Sequence, residues 1–411
     1  MAPNCLTVLA PIRPGEEDAL RAILRATGDD VNGRRRSQAT AAARLPYIDF
    51  PHSRRIHFAR FAILRDPDRG PERARLLYAS AFDGDLDAHL AELTAITSDP
   101  DAIWGRCEGY GGLATFGAFI RARAQEPAAF YIAFRDESAD SIRRAVAARR
   151  ADDASASAAT PRGGGDPPNW PASAWRRFVR AAPIVVDMIR ALARYGFGDV
   201  YRGTLRIIAS LNRYPVFRVV NRLTRNQMPA RRGPFTSVTI DSCAIPAPLA
   251  PGDEIPALSP SLAPGFREDV VVQNQLTLVT VISPDQANRV RAVMAAIHSY
   301  AVRLAPSGSL IGISTIHFVR WLVIDGGRRL MMVSDYDGSW ENYIDEFAEM
   351  IVSGLDAIWE TAIGAPPDGA RDLPAFKRFL RTHQVASDAF FSAYPNATVL
   401  NILSDTTRAR I

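Results

Sequence analysis

Hydrophobic and polar positions follow the same succession of patterns twice along this chain. Residues 6–12 form an apolar run typical of a strand, and the segment after Pro14 has apolar positions at helical spacing. Residues 276–282 and the segment after Pro284 repeat this pattern 270 positions later. The sequence therefore predicts a strand followed by a helix at the start of each half.

Each half continues with two apolar segments that predict an antiparallel hairpin, at 56–64 with 76–82 and at 316–324 with 330–336. The second hairpin closes through an Asp-Gly-Gly sequence at 325–327, which is typical of a tight turn between two strands. The two hairpins also share an Ile-His-Phe-x-Arg motif in their first strands. This recurrence indicates an internal duplication.

An Asp-Gly pair follows each hairpin, and then a helix with apolar residues at helical spacing begins. A last strand is predicted at 130–134 in the first half and at 398–403 in the second. The order is β-α-β-β-α-β twice, the order of the ferredoxin-like arrangement. The sequence therefore predicts an α+β fold made of two ferredoxin-like repeats.

This order of elements, together with the duplication, resembles the dimeric α+β-barrel superfamily, whose duplicated single-chain members include dye-decolourising peroxidases. The resemblance covers residues 5–136 and 274–405. It implies that the two sheets pack face to face as an intramolecular α+β barrel. It also implies that haem is a candidate cofactor.

Dye-decolourising peroxidases carry a Gly-x-x-Asp-Gly motif whose Asp acts on peroxide, with an Arg beside it and a His on the iron. The matching windows here are 80–84 and 334–338, where serine replaces the first glycine in both copies. The resemblance implies catalytic roles for Asp337 with Arg320, or for Asp83 with Arg60. Cleaving an O–O bond needs a base and a fixed positive charge close together.

Three histidines are candidates for holding the haem: His383, His317 and His57. His383 has Arg123 at the matching position of the first half, so it is a one-sided residue, and it is the candidate metal ligand. A neutral imidazole with a hydrogen-bonding partner suits iron. His57 and His317 occupy matched positions of the two halves.

Matched polar residues also have a purely structural interpretation, because a single active site needs its chemistry only once. Under this interpretation Asp83 and Asp337 cap the following helix or pair with arginine in a buried network. Strand alternation predicts that His57 and Arg60 face opposite sides of the sheet. Another one-sided residue, His89, lies opposite Tyr343.

Composition shifts between the halves. Ten arginines lie among apolar residues in 175–223, a pattern typical of basic amphipathic helices. These helices either pack on the rest of the protein or bind an anionic membrane surface. Nucleic acid is not indicated, because no known reading module is present. The predicted boundaries are a first repeat at 1–148, a linker at 149–173, a basic helical insert at 174–230, a Pro-rich connection at 231–270 and a second repeat at 271–411.

Charge and rare residues exclude several classes of chemistry. The net charge is +5, carried almost wholly by arginine, and Lys377 is the only lysine, which excludes most Schiff-base enzymes and phosphate-loop proteins. The three cysteines lie far apart, so neither a disulfide framework nor a zinc site is predicted. No signal peptide or apolar span is recognisable. We expect a cytoplasmic protein, either free or peripheral to the inner face of a membrane.

These observations leave three functional hypotheses. The first is a haem-dependent, peroxidase-like oxidoreductase acting on peroxide or a small apolar substrate. The second is a non-catalytic module that binds a membrane surface or a partner. The third is a cofactorless monooxygenase or isomerase, with a cavity lined by Phe58, Phe318, Tyr78 and Tyr336.

Overall fold

A computed structural model describes residues 3–31, 47–65, 74–156, 272–303 and 305–409. The predicted insert at 174–230, the Pro-rich connection at 231–270 and most of the predicted linker lie outside the described residues. The linker does not begin at 149 as predicted, because a helix continues to Ala156.

The described residues form eight strands and nine α-helices. The strands are β1 (Pro3–Pro11), β2 (Ile56–Arg65), β3 (Ala74–Asp83), β4 (Ala129–Ile132), β5 (Gln273–Val281), β6 (Ile316–Ile324), β7 (Arg329–Asp337) and β8 (Ala389–Ser392). The helices are α1 (Glu17–Val31), α2 (Leu86–Ile96), α3 (Pro100–Trp104), α4 (Phe116–Arg123), α5 (Ala139–Ala156), α6 (Ala287–Arg303), α7 (Trp340–Trp359), α8 (Leu373–Thr382) and α9 (Val399–Arg408).

The strands form two antiparallel four-stranded sheets that exchange their fourth strands. The first sheet has the order β1-β3-β2-β8 and the second has the order β4-β6-β7-β5. Thus β4, from the first half of the chain, pairs with β6, and β8, from the second half, pairs with β2. Each half therefore completes the sheet of the other.

This topology confirms a mixed α+β fold with two sheets and corrects its finer description. A ferredoxin-like repeat would keep its own fourth strand, whereas here that strand belongs to the opposite sheet. Each sheet is open, with β1 and β8 or β4 and β5 at its edges, so neither sheet closes into a barrel.

One strand prediction is wrong. Residues 398–403 begin helix α9, and the fourth strand of the second half lies earlier, at β8. Thr398 accepts a hydrogen bond from the backbone N–H of Asn401 and starts the helix with a capping box. The buried residues Val399 and Ile402 then follow at helical spacing, which a short apolar run does not distinguish from a strand.

The two sheets pack face to face, and helices cover their outer faces. An apolar cluster between the sheets joins Leu9, Leu64 and Leu77 of the first sheet to Leu322 and Met331 of the second. Two larger cores lie under the helices, one for each sheet. The inner faces also carry polar residues, which makes the space between the sheets the place to look for a functional site.

The duplication is visible in the strand register. Ile56 pairs with Phe82, and Phe58 with Ala81, so β2 has a bulge at His57. Ile316 and Phe318 pair with β7 in the same way, and His317 is the bulged residue. The turn predicted at 325–327 is present, with positive φ at Asp325 and both glycines.

Asp325 joins the two sheets at the end far from the histidines. Its carboxylate accepts hydrogen bonds from Arg75 of β3 and from Arg329 of β7, each at 2.9 Å. Burial by itself raises the pKa of Asp325, but the hydrogen bonds and charges of the two arginines outweigh it and lower that pKa below its ordinary value.

Replacing Asp325 by Asn keeps a residue that tolerates positive φ and removes the charge that both arginines share. We expect the free energy of unfolding in urea to fall by about 2 kcal/mol at pH 7. A carboxyl group with a lowered folded pKa stabilises the fold above its unfolded pKa, about 4, and loses that contribution as pH falls through the folded value. The difference from wild type should therefore shrink below pH ~4.

Glu349→Gln is the matched control, since Glu349 is exposed on α7 and loses the same charge. A difference between wild type and Asp325→Asn that is unchanged at pH 3 would contradict this role for the carboxylate.

Candidate functional site

Asp83, His57 and Tyr394 form a buried hydrogen-bonded chain at one end of the space between the sheets. Nε2 of His57 lies 3.0 Å from Oδ1 of Asp83, and Nδ1 lies 2.9 Å from the hydroxyl of Tyr394. A neutral imidazole protonated on Nε2 satisfies both contacts, donating to the carboxylate and accepting from the hydroxyl. Burial, followed by the charge of Asp83, raises the pKa of Tyr394 well above its ordinary value, so its hydroxyl keeps its proton.

The second half has the same arrangement with one part missing. Nε2 of His317 lies 2.7 Å from Oδ1 of Asp337. Phe134 occupies the position that matches Tyr394, and its ring centre lies 5.7 Å from that of His317. Nδ1 of His317 is therefore buried, and no described residue forms a hydrogen bond with it. The two histidines are alike in their carboxylate and differ in their second contact.

Both carboxylates also hold the start of a helix. Oδ2 of Asp83 accepts a hydrogen bond of 2.7 Å from the backbone N–H of Ala139, the first residue of α5. Oδ2 of Asp337 accepts the same bond from Val399, at the start of α9. The predicted capping role is thus partly right, because each aspartate caps a helix that follows an exchanged strand.

The bulges decide where the histidines point. Simple alternation would place His57 and Arg60 on opposite faces of the sheet, as the sequence predicted. Because His57 is the extra residue of a bulge, its ring lies between the sheets, 5.1 Å from the ring of Phe318. Arg60 also reaches across to the second sheet, so the predicted separation of the two side chains is wrong.

Arg60 pairs with Asp335 rather than with Asp83. Its guanidinium donates to the carboxylate of Asp335, to the carbonyl of Ser334 at 2.8 Å and to the side chain of Gln275 at 3.2 Å. Arg60 and Asp335 are both buried. This arginine is fully used by the packing of the two sheets.

Arg320 makes the matching reach in the opposite direction. One of its guanidinium nitrogens donates to the carbonyls of Leu6 at 3.0 Å and Ser80 at 2.7 Å. Within the described ranges, no carboxylate lies within 4.0 Å of it, because Ala81 occupies the position that matches Asp335.

His383 lies apart from these groups. It ends helix α8, and its Nδ1 lies 2.7 Å from the carbonyl oxygen of Phe379, to which it can donate. Burial lowers its pKa, so the ring is neutral. Its carbonyl accepts from Val279, which lies on β5 six residues beyond the partner of Asp337, about 20 Å along the strand at 3.3 Å per residue.

These positions do not fit a haem between the sheets. Asp337 and Asp83 each use both carboxylate oxygens, and His383 lies at an edge of the second sheet rather than across from Asp337 and Arg320. The rings of Phe58 and Phe318 fill the space beside the histidines, with centres 5.6 Å apart.

The aromatic cavity of the third hypothesis is not formed. Phe58 and Phe318 contact each other between the sheets, whereas Tyr78 packs against Trp104 on the outer side of the first sheet. Tyr336 stacks on Tyr343 on the outer side of the second. The four predicted lining residues therefore lie in three different places.

Sequence reasoning missed a buried serine–histidine pair. The hydroxyl of Ser80 lies 3.0 Å from Nε2 of His89, and burial lowers the pKa of His89 to about 3. A serine beside a neutral histidine is the arrangement of a nucleophile and its base. Ser80 and His89 are both fully buried, and an imidazole with so low a pKa is a weak base, so this contact serves packing. The matched contact joins the hydroxyls of Ser334 and Tyr343 at 2.7 Å. The sequence did contain a signal for this pair, because His89 stands where the second half has Tyr343.

Comparison of the chain with models of protein families, with curated proteins and with solved structures finds no match in any of the three.

Two substitutions at one matched position test how the histidines are held. Tyr394→Phe removes the partner of His57 Nδ1, and we expect the free energy of unfolding to fall by about 1–2 kcal/mol. Phe134→Tyr offers a hydroxyl to the unpartnered Nδ1 of His317 and should raise it by up to about 1 kcal/mol. Urea unfolding followed by far-ultraviolet circular dichroism measures both.

Opposite signs for the two variants would support the assignment. A destabilisation of more than about 2 kcal/mol by Phe134→Tyr would show instead that the added hydroxyl is overpacked and that the two positions are not equivalent.

Proposed function

We propose that this protein is a non-catalytic binding module. Its strand-exchanged body serves as a scaffold, and the basic segment 175–223 binds an anionic membrane surface from the cytoplasmic side. The observation that carries this proposal is that contacts of the fold use most of the polar residues that chemistry would need.

The matched pairs support the scaffold role. His57 with Asp83 and His317 with Asp337 are buried in both halves, and each aspartate fixes a helix after an exchanged strand. A residue needed once by a reaction has no reason to recur in both copies. A contact that stabilises the fold is needed in each copy, so it is expected to recur.

Charge supports the second part of the proposal. Residues 175–223 contain ten arginines and two aspartates, an excess of positive charge larger than the net +5 of the whole chain. The rest of the chain therefore has a small negative net charge. The eight strands that the structure describes form the two four-stranded sheets, and they come from the ranges before and after this segment. A basic segment rich in apolar residues suits the headgroup region of anionic lipids.

Membrane crossing is a separate matter. In the residues that the structure describes, no helix is both long enough and apolar enough to cross a bilayer. Our proposal concerns binding at the surface only.

The peroxidase hypothesis and membership of the dimeric α+β-barrel superfamily stay predictions. An absorption spectrum of protein from a haem-supplemented culture tests the first of these directly. A Soret band that depends on His383 would contradict the non-catalytic proposal.

Charge reversal in the basic segment tests the membrane proposal. We expect the full chain to sediment with phosphatidylserine vesicles at low salt and not with phosphatidylcholine vesicles. Arg190→Glu with Arg194→Glu should weaken the partition coefficient by at least about thirtyfold, because each arginine near the surface contributes about 1 kcal/mol.

The matched control is Arg144→Glu with Arg150→Glu, which changes the charge equally at two exposed positions of α5. Equal losses in the two double variants would show a non-specific effect of net charge and contradict the assignment to 175–223. Absence of sedimentation by the wild type would contradict it as well.

A further inference from the structure

The two halves differ most in how they surround their buried arginines. Arg60 faces a patch of the second sheet made of Gln275, Thr277, Val333 and Asp335, which are cross-strand partners on β5 and β7. The equivalent patch of the first sheet lies on β1 and β3, in the same register, and faces Arg320. Its residues are Cys5, Thr7, Ala79 and Ala81.

Three of these four positions carry a smaller residue on the Arg320 side. Cysteine replaces glutamine, and alanine replaces both valine and aspartate. The replacements remove side-chain volume and also the one carboxylate of the patch. The two arginines nevertheless reach the same backbone atoms, since Arg60 binds the carbonyls of Leu276 and Ser334 as Arg320 binds those of Leu6 and Ser80.

The result is an unbalanced positive charge in the interior. Arg320 is 2% exposed, and a guanidinium keeps its proton in proteins. Burial lowers the pKa of Arg60 and outweighs the opposing charge of Asp335, and the charge of Arg320 lowers that pKa further, so the two cations lie close enough to repel each other. Burying a charge without a counter-charge costs several kcal/mol. Asp335 binds Arg60, which leaves Arg320 without a carboxylate in the described ranges.

Thr7 gives an independent sign that a partner belongs here. Its hydroxyl is buried and has no hydrogen-bond partner among the described residues, whereas the matching hydroxyl of Thr277 accepts a bond of 3.2 Å from Arg60. Buried hydroxyls in native proteins are nearly always hydrogen-bonded. An acceptor beside Arg320 would satisfy the hydroxyl and the cation together.

Cys5 does not supply the missing negative charge. Burial raises the pKa of its thiol above the ordinary value and outweighs the charge of Arg320, which lowers it, so the thiol is neutral at pH 7. Cys5 does keep part of its surface in contact with solvent, unlike Thr7 and Arg320.

We infer that Arg320, Thr7 and Cys5 bind a small monocarboxylate, whose carboxyl group takes the place beside Arg320 that the side chain of Asp335 takes beside Arg60. A planar carboxylate suits the paired N–H groups of a guanidinium. One cation and one hydroxyl do not neutralise a dianion such as sulfate in a buried position. The site goes beyond membrane binding, which involves another part of the chain.

Formate is the smallest monocarboxylate and is the probe. Pivalate, added as the same salt, is the matched control, because it carries the same charge but is too bulky for the site. We expect formate to raise the thermal unfolding midpoint of the full chain by ~2–4 °C over pivalate at the same concentration. Chloride should have a smaller effect than formate, since it offers no paired oxygens. An equal or larger effect of chloride would overturn the assignment to carboxylates.

Ala81→Asp gives the first half the carboxylate that the second half already has. This variant should unfold at a higher temperature than wild type and lose its response to formate. Asp335→Ala removes the carboxylate beside Arg60. The thermal unfolding midpoint of this variant should fall, and formate should raise that midpoint by more than it raises the midpoint of wild type.

Arg320→Met removes the cation without adding a charge, and it keeps the test decisive if Ala81→Asp does not fold. Loss of the formate response in Arg320→Met supports the site. A response equal to that of wild type in either variant overturns it, as does a wild type that formate and pivalate stabilise equally.

Discussion

Asp83 and Asp337 each join their own sheet to a helix that follows a strand of the other sheet. One carboxylate oxygen binds a histidine on the aspartate's own sheet, and the other binds the first N–H of a helix that follows a strand of the opposite sheet. A buried carboxylate is costly unless both oxygens find donors. Both donors come from the same half of the chain, but the helix follows a strand of the opposite sheet, so each aspartate ties the two sheets together.

Near-symmetry makes the departures from symmetry informative. The bulged histidines, their aspartates and the long reach of Arg60 and Arg320 are common to both halves, and all of them serve packing. The halves differ in the second partner of the histidine and in the charge around the arginine. In a fold built from two copies, residues that stabilise the fold are retained in both copies. A one-sided ligand site is therefore expected where only one copy lacks a partner, as Arg320 does.

The sequence allowed the two hairpins, the Asp-Gly turns and the duplication to be predicted, because alternation and turn residues act locally. It did not show which sheet β4 joins, since a short apolar strand carries no information about its partner. The bulge at His57 reversed the prediction of facing, because one extra residue shifts the alternation. The match of Phe134 with Tyr394 needed only the offset of 260 and was available from the sequence.

The exchange of fourth strands is the central claim, and a disulfide between β4 and one of its two candidate partners tests it most directly. Opposed residues of antiparallel strands lie within disulfide range, and Tyr131 opposes Val319 in the exchanged fold. Without exchange, Tyr131 would oppose Ala59, as Phe391 does now.

The experiment uses a variant without the native cysteines, in which a protease site inserted after Gly164 allows the two halves of the chain to be separated. We predict that Tyr131→Cys with Val319→Cys forms a bond that keeps the fragments together on a non-reducing gel. Efficient bonding of Tyr131→Cys with Ala59→Cys, within one fragment, would contradict the exchange.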